Sequence, residues 1–249
     1  MNLIEEILDF IYPPRCIVCG KIALKIKDDK ALCSKCRKSI PWIEDLSRCD
    51  LCSAPCENGN ICTVCMGRNK SYKKAISVFE YSDVKTTIEN YKFKGHKYLS
   101  ASIGAVMFTY LKRFYPDILS KCDILCPVPI HSTRLEERGY DQSALIGRII
   151  SEKSGIEYKD ILVRVRPTGP QSLIKGLNNR EANVKGAFKA GQNAMSKTVL
   201  LIDDVITTGS SANECAKELL KVGAKDVYVF TFAASYRQTH KNNNNKIEF

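Results

Sequence analysis

Eight cysteines near the N-terminus constrain this chain more than any other feature in it. They form four C-x-x-C pairs, Cys16/Cys19, Cys33/Cys36, Cys49/Cys52 and Cys62/Cys65, all within the first 65 of 249 residues. Two thiolates three positions apart sit on one tight turn and face one tetrahedral ion, and a second such turn completes a four-sulfur shell. Thirteen residues separate the first two pairs and nine separate the second two, enough for a short hairpin in each case. The spacing therefore predicts two consecutive zinc ribbons. A disulfide framework would use the same thiols but needs an oxidising compartment, and a redox C-x-x-C normally occurs once, beside a βαβ unit. Cys56 is a further thiol inside the second ribbon and competes for its ion, so one or two Zn2+ ions remain open. Four thiolates leave no open position for water, which makes such a metal structural. The segment is short and poor in aliphatic residues, so the metal would stabilise its fold directly.

Charge narrows the class of partner. The net charge of +11 favours a polyanion such as nucleic acid or a phosphorylated substrate, although a basic solvated surface explains it too. Lys21, Lys25, Lys27, Lys30, Lys35, Arg37 and Lys38 make the first ribbon basic, with Trp42 just beyond, a mixture suited to phosphate contacts and base stacking. The opening stretch MNLIEEILDFIYPPRC has no basic n-region and no long apolar core. The longest uncharged run, Tyr98 to Leu111, is shorter than the ~18–20 residues of a spanning helix. The expectation is a cytoplasmic protein with no membrane insertion.

After Cys65 the pattern changes. Residues 1–70 read as the zinc-binding domain, 71–237 as an α/β domain, and 238–249, which contain KNNNNK, as a disordered tail. AISVFEY from Ala75 reads as a strand, Val84 to Tyr91 as a short helix and Leu99 to Phe114 as a longer one. ILCPVP from Ile124 reads as a buried strand stopped by Pro127 and Pro129. Asp141 is placed to cap a helix carrying Leu145, Ile146, Ile149 and Ile150, and Gly155 to end it. TVLLI (198–202) reads as a buried strand, Ser211 to Val222 as a helix with Ala212, Cys215, Ala216, Leu219 and Leu220 on one stripe, and VYVFTFA (227–233) as a central strand. Cys122, Cys126 and Cys215 read as small core residues. Strand, helix, strand in this order implies a parallel sheet whose ligands bind at the carboxyl ends of its strands.

One loop stands out there: Asp203-Asp204-Val205-Ile206-Thr207-Thr208-Gly209-Ser210. Two adjacent carboxylates at the end of an apolar run are costly to bury unless something binds them. Vicinal ribose hydroxyls suit them, since each carboxylate accepts charge-assisted hydrogen bonds. Thr207 to Ser210 then supply hydroxyls and backbone N–H groups at a helix N-terminus, an environment for a phosphate dianion.

Four hydrophobic residues, two acids, two hydrophobic residues, then TTG and a small residue resembles the signature of type I phosphoribosyltransferases, which bind 5-phosphoribosyl-1-pyrophosphate (PRPP). The whole chain resembles the ComF family of competence-associated, phosphoribosyltransferase-like proteins: Pro14 with the paired cysteines, YKFKG (91–95), CPVP (126–129), RGYDQS (138–143), the run Gln171, Leu173, Arg180, Asn183, Phe188, and the loop itself. The resemblance implies a type I phosphoribosyltransferase fold, a parallel sheet flanked by helices, with a small N-terminal zinc-ribbon domain. It implies that Asp203 and Asp204, the catalytic candidates, meet the ribose 2′ and 3′ hydroxyls. Thr207, Thr208, Gly209 and Ser210 would hold the 5′-phosphate, with Val205 among the ligand-binding residues. The loop with Val128 and Pro129 would lie where such enzymes hold pyrophosphate, with an unusual peptide before Pro129. Arg134, Arg138 and Arg180 would offer guanidinium groups to pyrophosphate or to a nucleic-acid backbone. Gly176, Asn178 and Asn179 beside Arg180 suggest a mobile loop closing over the site. Mg2+ is the expected companion of pyrophosphate. No acceptor-binding hood is readable. Two functions follow: a PRPP-binding protein that handles single-stranded DNA during natural transformation with helicase or recombination partners, or an active phosphoribosyltransferase of nucleotide salvage or biosynthesis.

Overall fold

The structure is a computed structural model and describes residues 16–22, 32–39, 48–56, 60–169, 177–191 and 194–235. Lys25, Lys27, Lys30, Trp42, Pro14, Gln171, Leu173, Gly176 and the tail 238–249 lie outside the described residues, as do the side chains of Arg37, Lys38 and Asn178.

Five strands pair in parallel: β1 (Lys74–Glu80), β2 (Ile124–Pro127), β3 (Glu157–Tyr158), β6 (Thr198–Ile206) and β7 (Asp226–Ala234), in the order β1-β7-β6-β2-β3. A small antiparallel pair, β4 (Leu162–Arg164) and β5 (Phe188–Ala190), lies apart from this sheet. The central strand β6 is buried on both sides from Thr198 to Ile202, as a sheet covered by helices on both faces requires.

The helices are α1 (Ser34–Ser39), α2 (Tyr81–Phe93), α3 (Leu99–Phe114), α4 (Pro116–Lys121), α5 (Ser132–Arg138), α6 (Gln142–Ser154), α7 (Leu177–Val184) and α8 (Ser210–Lys221). Helix α3 buries Ile103, Val106, Met107, Tyr110 and Leu111 against one sheet face, the 3-4 spacing of a single stripe. It approaches α6 closely at Gly104, where a Cβ would lie 2.7 Å from the Cβ of Ile149. Asp141 caps α6, accepting from Ala144 N at 2.9 Å, and Gly155 ends it with φ 75°. The opposite face is covered by α8, whose Ala212, Cys215, Ala216 and Leu219 are buried. Leu220, expected on the same stripe, is 39% exposed, because the stripe facing the sheet is narrower than the sequence suggests. Cys122, Cys126 and Cys215 are buried as expected.

Two strand ends differ from the sequence expectation. Tyr81 belongs to α2, which bends at Val84 (φ −122°), where the chain leaves the sheet. Strand β6 runs four residues beyond Ile202, because β7 keeps pairing with it: Asp203 faces Thr231, Val205 faces Ala233 and Ile206 faces Ala234. The acidic pair is thus part of the strand rather than of a loop after it. No cis peptide occurs among the described residues, so the bond before Pro129 is trans.

Each group of four cysteines joins a different layer. Cys16 and Cys36 belong to the hydrophobic cluster that holds Leu200, Ile202, Phe230 and the α3 residues, whereas Cys49, Cys52, Cys62 and Cys65 belong to the one that holds Val199, Leu201, Val227 and the α8 residues. Hydrogen bonds secure both: Thr87 of α2 donates to Ile17 O, and Tyr72 Oη donates to Leu51 O at 2.5 Å. No helix among the described residues is long and apolar enough to cross a membrane.

Candidate phosphoribosyl site and zinc centres

Topology opens a crevice between β6 and β2. These neighbours stay paired only as far as Pro127 opposite Ile202, with one further bond from Val128 N to Ile202 O at 2.9 Å. Pro129 has no N–H to continue the ladder. The chain leaving β2 leads toward β3 at one edge, while the chain leaving β6 leads to β7 on the other side. In open α/β sheets such a switch point is where ligands enter. Here it is a cleft of about 720 Å³.

The acidic floor of the cleft is held from three sides. Ser143 Oγ, on the first turn of α6, donates to Asp203 Oδ1 at 2.9 Å, and the Asp204 backbone N–H donates to the same oxygen at 2.9 Å. Lys92 Nζ, on the last turn of α2, lies 2.8 Å from Asp204 Oδ2. Burial, and then the Asp204 charge, push the Asp203 carboxyl up to about 7, while Lys92 opposes them. Asp141 ties the other wall in: its Oδ2 accepts from Ile130 N at 3.2 Å while its Oδ1 caps α6. One carboxylate therefore joins the loop after β2 to the helix that carries Ser143.

The turn from Thr207 to Ser210 closes the far end. Gly209 takes φ 70° and precedes Ser210, the first residue of α8, and Thr207, Gly209, Ser210 and Ser211 at this helix start border the cleft. Thr208 Oγ1 and Ser210 Oγ share a hydrogen bond of 2.7 Å. Behind the loop, a Cβ on Gly209 would overlap Tyr72 Oη and sit 3.5 Å from Leu51 O. The second cysteine cluster thus buttresses the loop through Tyr72. Ser71 N, donating to Asn213 Oδ1 at 2.7 Å, fastens the same segment to α8.

Of the residues expected from sequence, Val128, Pro129, Arg134, Arg138, Arg180, Asp203, Asp204, Val205, Thr207, Gly209 and Ser210 line this one cleft. Thr208 is not among its lining residues and acts through Ser210. Sequence reasoning gave no role to Lys92, Phe93, Ser143 or Arg164, which also line it. Lys92, Phe93 and Ser143 fall inside the quoted YKFKG and RGYDQS stretches, so the signal was present without a geometry to interpret it. Arg164 lies on β4, with its guanidinium over Phe188 and donating to Thr168 Oγ1, and nothing local in the sequence marks it. His131 caps α5, accepting from Thr133 N at 3.3 Å, which is a structural role.

Two metal centres are formed by the cysteines. The sulfurs of Cys16, Cys19, Cys33 and Cys36, and separately those of Cys49, Cys52, Cys62 and Cys65, all lie within 4.8 Å of one another. Four converging thiols with no oxygen donor fit Zn2+ in a closed tetrahedral shell. Cys56 is buried but belongs to neither set.

Residues 7–66 match the double zinc ribbon domain family. The chain is 28% identical over 232 residues to competence protein F of Haemophilus influenzae, covering 88% of this chain and 96% of that protein. It is 26% identical over 221 residues to competence protein ComFC of Bacillus subtilis, covering 84% and 87%, and 26% identical over 203 residues to the DNA utilization protein YhgH of Salmonella typhimurium, covering 80% and 88%. Among solved structures, an allosteric regulatory enzyme of purine biosynthesis matches 53% of this chain and 25% of its own, at 22% identity and TM-score 0.34. A purine phosphoribosyltransferase from Pyrococcus horikoshii matches 59% and 94%, at 16% identity and TM-score 0.31. Near-full-length similarity to the competence proteins, together with the two four-cysteine centres and the helix-flanked parallel sheet, supports assigning this chain to the ComF family.

Proposed function

We propose that the β6–β2 cleft binds PRPP or a closely related phosphoribosyl ligand with Mg2+, in a cytoplasmic protein that handles single-stranded DNA during natural transformation. The carrying observation is the run from Asp203 to Ser210: two carboxylates near the end of a central strand, then hydroxyls and N–H groups at the start of α8, all but Thr208 bordering one cleft. Asp203 and Asp204 would accept from the ribose hydroxyls and Thr207 to Ser210 would hold the 5′-phosphate. Arg134, Arg138, Arg164 and Arg180 supply the positive charge a pyrophosphate needs. Mg2+, when bound with the ligand, would neutralise part of the pyrophosphate charge. The names of the relatives, competence and DNA utilization, support a DNA-related role. Residues 1–70 would serve as the zinc domain and 71–237 as the ligand-binding domain, with helicase or recombination proteins as partners.

The intact acidic pair favours a second reading, turnover in nucleotide salvage or biosynthesis. Breaking a phosphoribosyl bond needs positioning and charge neutralisation more than a protein nucleophile, and this cleft offers both. Calorimetric titration of PRPP·Mg2+ with and without single-stranded DNA tests the first reading, since coupling between two ligands must be reciprocal. Absence of PRPP binding overturns it. Pyrophosphate release with a nucleobase acceptor, abolished in Asp204→Ala, would establish the second.

A further inference from the structure

At the mouth of the cleft, the residues that follow the Lys92–Asp204 ion pair form an unusual surface. Phe93 ends α2 and is 71% exposed although it borders the cleft. The guanidinium of Arg138 lies 5.3 Å from its ring centre, and Arg138 is itself held by Gln142, its Nη1 donating to Oε1 at 2.9 Å. In the turn to α3, His96 and Tyr98 stack at 5.3 Å with ring planes 29° apart, and Tyr98 is 62% exposed. Lys94 and Lys97 alternate with these rings and are exposed. An exposed phenyl ring forgoes its favourable transfer from water, and here the ring neither enters the core nor sits on an isolated surface. Rings interleaved with cations are the composition that binds bases by their faces and phosphates by charge.

We infer that the turn Lys92–Tyr98 is a nucleobase platform. Phe93, with the plane of Arg138 beside it, stacks a base at the cleft mouth. The His96–Tyr98 pair offers a second stacking surface, and Lys94 and Lys97 contact the backbone of a single strand. Phe93 follows directly on the lysine paired with Asp204 and lines the same cleft, so a base joined to a ribose held by that acid would meet it. This deepens the single-strand reading of the same site and rests on it.

The test measures binding of the zinc-loaded full chain by fluorescence anisotropy, using an oligothymidylate strand and an abasic strand of equal length. Phe93→Ala should weaken the thymidylate strand about five- to a hundredfold, the worth of one stacked base, and leave the abasic strand within twofold. Phe93→Trp should restore binding. Lys94→Ala/Lys97→Ala should weaken both strands alike and flatten the salt dependence. Equal loss on both strands in Phe93→Ala, or no loss on either, overturns the platform while leaving single-strand binding by the protein intact. If the wild type binds neither strand but binds thymidine monophosphate in a Phe93-dependent way, the platform stands and the single-strand reading fails. If it binds neither strand nor the mononucleotide, both fall.

Discussion

Replacing Gly209 by alanine tests whether the phosphate loop and the second zinc ribbon are one mechanical unit. Two costs are visible. The backbone at Gly209 is left-handed (φ 70°), which costs an alanine about 1–2 kcal/mol. The added methyl would also overlap Tyr72 Oη, which is buried and donates to Leu51 O at 2.5 Å. Moving the ring breaks that bond and leaves a buried hydroxyl unpaired, about 1–3 kcal/mol. The sum, about 2–5 kcal/mol, is a large share of a typical stability of about 5–15 kcal/mol. Urea unfolding of the zinc-loaded protein, compared at equal slope, measures it. Tyr72→Phe alone should cost about 1 kcal/mol through the lost hydrogen bond. In the Tyr72→Phe background the steric part of the Gly209→Ala cost should vanish and the backbone part remain, giving a coupling of about 1 kcal/mol or more. Additive effects, or a Gly209→Ala protein within about 0.5 kcal/mol of the wild type, a change typical of indifferent surface sites, would refute the coupling.

Four further outcomes follow from the site and the zinc centres. Because the Asp203 carboxyl is raised to about 7, its carboxylate becomes available to ribose hydroxyls only as pH climbs through that value, so PRPP·Mg2+ affinity should tighten from about pH 6 to 8 in calorimetry and flatten in Asp203→Asn. For folding the sign is opposite: the folded state keeps a proton that the unfolded chain has released, so this group's stabilising contribution is complete below about pH 4 and is lost as pH rises through about 7, visible as a wild-type minus Asp203→Asn difference in urea midpoints. Lys92→Met removes a charge that lowers the Asp203 value and should move the affinity midpoint to more alkaline pH, and an unmoved midpoint would deny Lys92 that role. Chelator titration should release zinc in two phases. The Cys16–Cys36 centre, with Cys19 exposed, should go first, and the wholly buried Cys49–Cys65 centre should go together with loss of helical circular dichroism; the reverse order would contradict the burial seen here.

Much of the site was legible because its signals are local. C-x-x-C spacing, two acids after an apolar run, and TTGS before a helical stripe each place their chemistry within a few residues; the cysteines converge in two sets of four and the helix starts at Ser210, while the acids fall inside the strand rather than after it. What escaped depends on pairing across the sheet or on distant contacts. The acids lie within β6 because β7 continues beside them to Ala234, which no window around Asp203 reveals. Lys92, Ser143 and Arg164 reach the cleft from α2, α6 and β4, so their roles appear only once the sheet has brought those elements together. Nor does the local sequence show that cysteines of the two sets fall in different hydrophobic clusters, since those clusters include strand residues more than a hundred positions downstream.

That division has a consequence for the order of assembly. The cysteine segments leave the ribosome more than a hundred residues ahead of Val199 to Ile202 and Val227 to Phe232, strand residues of the clusters they join. During synthesis the ribbons must therefore wait, holding their ions without a core, until β6 and β7 arrive and let them clasp the sheet from both sides. Such long-range closure is slow, and an unmetallated nascent chain would meet its own finished sheet with two exposed thiol clusters.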